Sequence, residues 1–247
     1  MVGPAWSIEV LLTGSWRGAT SVLLSNGHLH AVVDTGLPHE AHQLLEALRK
    51  KGLAPCDIAM IVNTHFHVDH VLNNCLFPSS TIYAPQESYE WCIALYSDMV
   101  NEVGWVKRIL KYYPETFDYE HAEANMGKLR KFTLRWWDVG RLGSPSQFRW
   151  AETHSLPEGL EPLVTQGHVP GHVSLIVPTH GVRTVIAGDA LLTRDHDEQV
   201  LTMIPQSRKQ SLLDRDLVLA SGQRIIPGHD REFLLSGSSA IEPAPRE

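Results

Sequence analysis

Residues 64–70 read Thr64-His65-Phe66-His67-Val68-Asp69-His70, and they follow directly on the apolar stretch Asp57–Asn63. That stretch is rich in aliphatic residues and reads as a buried strand. The heptapeptide at its end places three imidazoles and one carboxylate within six residues. In extended or loop geometry alternate side chains point the same way, so His65 and His67 can grip one ion. Asp69 and His70, past a bend, can grip a second one a few ångströms on. Nitrogen and oxygen donors without a thiolate suit zinc. Iron and manganese stay open, because imidazole plus carboxylate does not select among these metals by affinity alone.

Working outward, four more chemistry-bearing turns sit where strands are predicted to end. They are Val33-Asp34-Thr35-Gly36, the loop Val164–His172 with His168 and His172, Ala187-Gly188-Asp189, and Pro227-Gly228-His229. The strands are predicted over Ser7–Leu12, Ser21–Leu24, His30–Asp34, Asp57–Asn63, Thr81–Ala84, Leu160–Thr165, Val173–Val177, Thr184–Ala187 and Arg224–Ile226. Turn signals such as Asn26-Gly27 separate the first of these. Pro38 and Gly52 bracket a helix over His39–Lys51, with Leu44, Leu45 and Leu48 at helical spacing. A short helix is predicted at Val71–Leu76 and a longer one at Arg208–Ala220. Each turn alone is a weak signal. Their joint occurrence, in this order, is not.

The set DTG, THxHxDH, GHxPGH, AGD and PGH resembles the metallo-β-lactamase superfamily, and the motifs span residues 34–229. The resemblance implies a small single-domain member with an α/β fold, a four-layer αββα sandwich with a dinuclear metal site at one edge of its sheets. Carried over by motif, His65, His67 and His168 would hold the first metal. Asp69, His70 and His229 would hold the second, and Asp189 would bridge the two. Asp34 would brace the ligand loops by hydrogen bonds. His172 would orient a ligand or a substrate, or close its loop. The implied catalytic groups are a metal-bound water and Asp69. A water shared by two dications loses its proton near neutral pH, whereas free water has a pKa of about 15.7. The implied cofactors are therefore two zinc ions, with iron or manganese as alternatives.

Asp189 bears on the reaction. The antibiotic-hydrolysing members would place a cysteine or serine there, so β-lactam hydrolysis is not expected. An aspartate resembles thioester hydrolases, lactonases, phosphodiesterases and RNA-processing members. The expected reaction is hydrolysis of an ester, lactone or thioester carbonyl. The alternatives are a phosphodiesterase or ribonuclease on the same site, or a mononuclear iron sulfur-dioxygenase. The di-iron oxygen-reducing members are disfavoured, because His67 stands where they carry glutamate.

Residues 86–150 depart from the β/α alternation. Ser88–Tyr112 reads as one long helix and Tyr119–Lys131 as another. Trp91, Trp105, Trp136, Trp137 and Trp150 lie here, with Tyr89, Tyr96, Tyr112, Tyr113 and Tyr119. The segment is expected to be a helical, aromatic-rich insertion or lid on a hydrolase domain of residues 1–235. Its aromatics either roof the site or form the insertion's own core. Met126–Arg149 carries six Lys and Arg against Asp138 alone, either a stripe that attracts an anionic substrate or a solvated face. Residues 236–247 read as a flexible tail.

The chain has 247 residues, 43% hydrophobic and 20% charged, which is the balance of a water-soluble globular protein. No apolar run approaches the ~20 residues of a membrane span. A net charge of −7 argues against a protein built to coat nucleic acid. A small-molecule substrate is expected, with nucleic acid as a less favoured alternative. Homo-oligomerisation is left open. Cys56, Cys75 and Cys92 are odd in number and form no CxxC pair. Together with Glu9 inside the N-terminal apolar stretch, which does not suit a signal peptide, they point to the cytoplasm.

Overall fold

The computed structural model describes residues 6–101, 103–115, 122–179, 181–195 and 205–235. Two sheets carry the fold. The first has the order β1 to β6: β1 (Ser7–Leu12), β2 (Ser21–Ser25), β3 (His30–Val33), β4 (Met60–Val62), β5 (Thr81–Ala84) and β6 (Phe148–Trp150). Strands β1 to β3 are antiparallel, and β3 to β6 run parallel. The second contains β7 (Glu161–Val164), β8 (Val173–Thr179), β9 (Val182–Gly188), β10 (Arg224–Pro227) and β11 (Phe233–Leu234), ordered β11-β10-β9-β8-β7.

The two-residue period of a strand sends alternate side chains to opposite faces. Val22, Leu24, Ala31, Val33, Met60 and Val62 point inward and meet Leu175, Val177, Ile186 and Ile226 of the second sheet. Their neighbours Leu23, Val32 and Ile61 point outward to a separate core with Leu44 and Leu48 of helix α1 (Ala41–Lys50). On the far side, Val185 and Ile225 pack against Val218 of helix α6 (Arg208–Ser221). The result is four layers: helix, sheet, sheet, helix. Burying one Val, Leu or Ile side chain contributes about 1.5–3 kcal/mol, so two-faced burial of both sheets supplies most of the cohesion.

Several predicted elements are corrected. The strand expected over Asp57–Asn63 narrows to Met60–Val62, because Pro55–Asp57 forms a 3-10 turn. The helix expected at Val71–Leu76 begins earlier: α2 (Val68–Val71) starts inside the histidine motif, and a 3-10 turn follows at Asn74–Leu76. The single helix expected over Ser88–Tyr112 is two, α3 (Gln86–Val100) and α4 (Trp105–Leu110). Gly104, at φ 64°, breaks them, in a left-handed conformation that glycine adopts without steric cost. The next helix, α5, spans Ala122–Trp136, while Tyr119 lies outside the described residues. The β/α alternation also does not wait until residue 150, since β6 pairs with β5 as the edge strand.

Aromatics of the 86–150 segment pack mainly on one another and on the first sheet's outer core. Tyr96 and Trp137 stand 4.2 Å apart by ring centroid, and Phe148 stacks on Trp150 at 5.0 Å. Half of the basic stripe, three of its six cations, donates to main-chain carbonyls. Arg130 donates to Met99 O, Arg141 to Leu72 O, and Arg149 to Ser146 O and Phe148 O. The tail expected at 236–247 lies outside the described residues.

Candidate metal centre

The carboxyl ends of β3, β4, β7, β9 and β10 come together at one edge of the sandwich. They bring with them Asp34, the His65–His70 segment, His168, Asp189 and His229. Two groups of donor atoms result, His65, His67, His168 and Asp189, and beside them Asp69, His70 and His229. Within the first, His67 Nδ1 lies 3.1 Å from His65 Nε2 and 3.0 Å from His168 Nε2. In the second, His229 Nε2 lies 3.6 Å from Asp69 Oδ2.

Asp189 stands between them with one oxygen toward each group. Its Oδ2 is 3.2 Å from His168 Nε2 and 3.7 Å from His65 Nε2. Its Oδ1 is 3.2 Å from His70 Nε2 and 3.3 Å from His229 Nε2.

The outer nitrogens explain why the inner ones are free to ligate. Thr64 donates its main-chain N–H to Asp34 Oδ1 (2.9 Å) and its hydroxyl to Asp34 Oδ2 (2.7 Å). With its proton so used, Thr64 Oγ1 accepts from His65 Nδ1 at 3.0 Å. His70 Nδ1 donates to Asp34 Oδ2 at 2.7 Å, and His229 Nδ1 donates to the Ser15 carbonyl at 2.7 Å. In each case a proton is held on Nδ1, and Nε2 is the nitrogen that faces the centre. Such an outer partner fixes both tautomer and ring orientation.

His172 acts on the loop. It accepts the Asp189 main-chain N–H on Nε2 (3.0 Å) and donates from Nδ1 to Thr165 Oγ1 (2.8 Å). It therefore aims Asp189, and is not among the converging donors. Gly188, at φ 51°, is needed for this approach. A Cβ there would lie 2.8 Å from His172 Nε2 and 2.9 Å from Thr64.

Charge is arranged to match. Burial would push the Asp189 carboxyl up, but His229, His70 and His168 hold it well below the usual carboxylate range. Burial pulls His65 and His67 well below the ordinary imidazole range, and neighbouring imidazoles pull further. Burial also disfavours charge on His70 and His229, yet Asp189 outweighs it, with Asp34 adding for His70 and Asp69 for His229. His70 is held well above its ordinary value and His229 is pushed up to about 9.

The donor set fits divalent metal. His70 Nε2 and Asp189 Oδ1 are buried with no hydrogen-bond partner. A buried polar atom left so costs about 1–3 kcal/mol, and a cation between them removes that cost. Donors about 2.0–2.1 Å from one tetrahedral ion stand about 3.3–3.4 Å apart, in line with the separations above.

A family model described as "Metallo-beta-lactamase superfamily" matches residues 14–229. The chain belongs to the metallo-beta-lactamase superfamily. It is a metal-dependent hydrolase of that superfamily. It is 28% identical over 246 residues to metallo-beta-lactamase domain-containing protein 1 of Xenopus laevis, covering 94% of this chain and 82% of the relative. It is 26% identical over 218 residues to the N-acyl homoserine lactonase AttM of Azorhizobium caulinodans, covering 83% and 71%. Among solved structures, a probable metal-dependent hydrolase from Staphylococcus aureus superposes with a TM-score of 0.63 at 16% identity, covering 93% of this chain and 91% of the other.

Sequence reasoning assigned no individual role to several residues that support this candidate site. Asp214, in α6, accepts from Gly167 N at 2.6 Å and so anchors the turn before His168. Tyr113, from the 86–150 segment, brings its hydroxyl 3.5 Å from the outer nitrogen of His67. Neither has a local sequence signature, because each acts across a long chain separation. Thr64 could have been found, since it immediately precedes His65.

Proposed function

We propose that this chain is a dinuclear zinc hydrolase acting on an ester, lactone or thioester carbonyl. The observation that carries the reading is the division of Asp189, with one carboxylate oxygen toward each histidine group. His65, His67 and His168 would hold one ion, and Asp69, His70 and His229 the other, with Asp189 shared. When bound, two zinc ions would supply a nucleophilic hydroxide at neutral pH and polarise the target carbonyl.

The chain's own residues set the geometry and handle the proton. Asp34, Thr64 and the Ser15 carbonyl fix the imidazole tautomers. His172 fixes Asp189. Asp69 turns one oxygen toward His229. Its other oxygen is left to hold the proton of the nucleophilic water and pass it to the leaving group. The relation to a lactonase supports a carbonyl substrate, a small molecule. Phosphodiester cleavage draws less support, because three of the six cations of the basic stripe, Arg130, Arg141 and Arg149, are held in place by main-chain carbonyls. No helix among the described residues is long and apolar enough to cross a membrane. We place the protein in the cytoplasm, on the strength of its three free cysteines.

Mass-spectrometric metal content of untagged protein, with a panel of esters, lactones, thioesters and bis(p-nitrophenyl) phosphate, tests this. About two zincs per chain and turnover of a carbonyl substrate are expected. One iron per chain, or turnover of the phosphodiester alone, overturns it.

A further inference from the structure

Helices α3, α4 and α5 pack on one another beside the metal centre, and a cavity of 50 Å³ lies among residues of this segment and the histidine motif. It touches both ligand groups, through His67 of the first and Asp69 of the second. Leu95, Met99, Leu129 and Phe132 form its apolar wall. Leu95 and Met99 are fully buried, so their side of the wall is backed by the core and cannot easily yield, while Leu129 and Phe132 are partly buried. An apolar cavity of about 150 Å³ binds benzene, with its six carbons. By that measure a cavity one third as large takes about two carbons.

We propose that this cavity is a size-limited subsite, which receives an acetyl- or propionyl-sized group beside the scissile carbonyl, and from which Met99 and Leu129 exclude longer acyl chains. The proposal rests on the carbonyl-hydrolase reading above. A substrate with a short acyl group fills the space and replaces contacts that the wall otherwise lacks. A longer chain meets close-packed carbon and is forced out of line with the two ligand groups. Each methylene accommodated or refused in an apolar pocket shifts discrimination by about 10–200-fold.

The test is the hydrolysis of acetyl, butyryl and hexanoyl esters and thioesters by the zinc-loaded protein, with Leu129→Ala and Leu129→Phe alongside. Leu129 is only partly buried, so both variants are expected to fold. From acetyl to hexanoyl, kcat/KM should fall at least tenfold. Leu129→Ala should narrow that ratio at least fivefold, and Leu129→Phe should penalise even the acetyl substrate. A flat or rising chain-length profile, or one that neither variant moves, overturns the subsite. If no ester, lactone or thioester is turned over, the carbonyl reading itself fails. The subsite is then decided by calorimetry with acetate, butyrate and hexanoate. Affinity that falls with chain length and recovers in Leu129→Ala upholds it, and length-independent affinity overturns it.

Discussion

Asp34 Oδ2 accepts a hydrogen bond from His70 Nδ1 at 2.7 Å, while the same oxygen accepts the Thr64 hydroxyl. One carboxylate at the end of β3 thereby orients His70 of one ligand group directly and His65 of the other through Thr64. Asp34 is the one non-glycine residue with positive φ among the described residues, at 53°. Left-handed backbone at a non-glycine position costs about 1–3 kcal/mol and persists where surrounding contacts hold it.

Replacing Asp34 should therefore weaken metal binding more than folding. Asp34→Ala removes the acceptor for His70 and Thr64 at once, and metal affinity should drop about 10–100-fold. Asp34→Asn keeps an oxygen for Thr64 and tolerates the left-handed backbone, so its loss should be the smaller. Competition with a chromophoric chelator measures both. Equal affinity in wild type and Asp34→Ala would remove Asp34 from the site.

Gly188→Ala should destabilise the metal-free protein by about 1–3 kcal/mol, because the added Cβ meets His172 and Thr64 and the backbone is left-handed. Urea unfolding reads the loss. Gly27→Ala also has positive φ but meets nothing within 4 Å. It isolates the conformational part of the cost, and the two variants should differ by the close contact. Identical losses would show that the approach of β9 to the histidine motif is not tight.

The convergence of the candidate donors is legible in the sequence because a donor at a strand end needs only two things, an apolar run and a turn bearing the right side chain. His65, Asp189 and His229 each satisfy both locally. The break at Gly104 is not legible. Met99, Val103, Val106 and Leu110 keep helical spacing straight across it, and a lone glycine costs a helix only about 1 kcal/mol. Helix α2 and strand β6 are too short to establish a period of their own. Asp214 finds Gly167 across 47 residues, a contact made by the packing of α6 and absent from any local pattern.

Asp214 makes a prediction about pH. Burial pushes its carboxyl above the ordinary value, and hydrogen bonds from Gln210 and Gly167 only partly offset this. A carboxyl whose pKa is higher folded than unfolded binds its proton more tightly in the native state. Its favourable contribution is complete below the unfolded value, about 3.9, and is lost as pH rises through the folded one. Asp214→Asn still offers an oxygen to Gly167 but does not ionise. The stability of wild type minus that of the variant should fall as pH rises from about 4. Unfolding of metal-free protein at several acidic pH values measures it, and a difference that grows with pH would reverse the sign.

Asp189 separates the dinuclear reading from its rivals. Its carboxylate is held ionised by His229, His70 and His168, and it presents one oxygen to each donor group. Two dications set side by side repel, and a shared carboxylate offsets part of that repulsion while fixing their separation. Asp189→Ala should lower metal content from about two per chain to about one and reduce turnover by about 10²-fold or more. The fold should persist, because the side chain lies at a strand end and contributes no apolar burial. Melting temperature of the metal-free variant should fall, because His70 and His229 are left buried without the carboxylate they share. In a mononuclear site the same substitution would strip a terminal ligand, and the variant would bind no metal at all. Metal content and turnover both at wild-type levels would make Asp189 an ordinary turn residue and leave the second donor group without a metal.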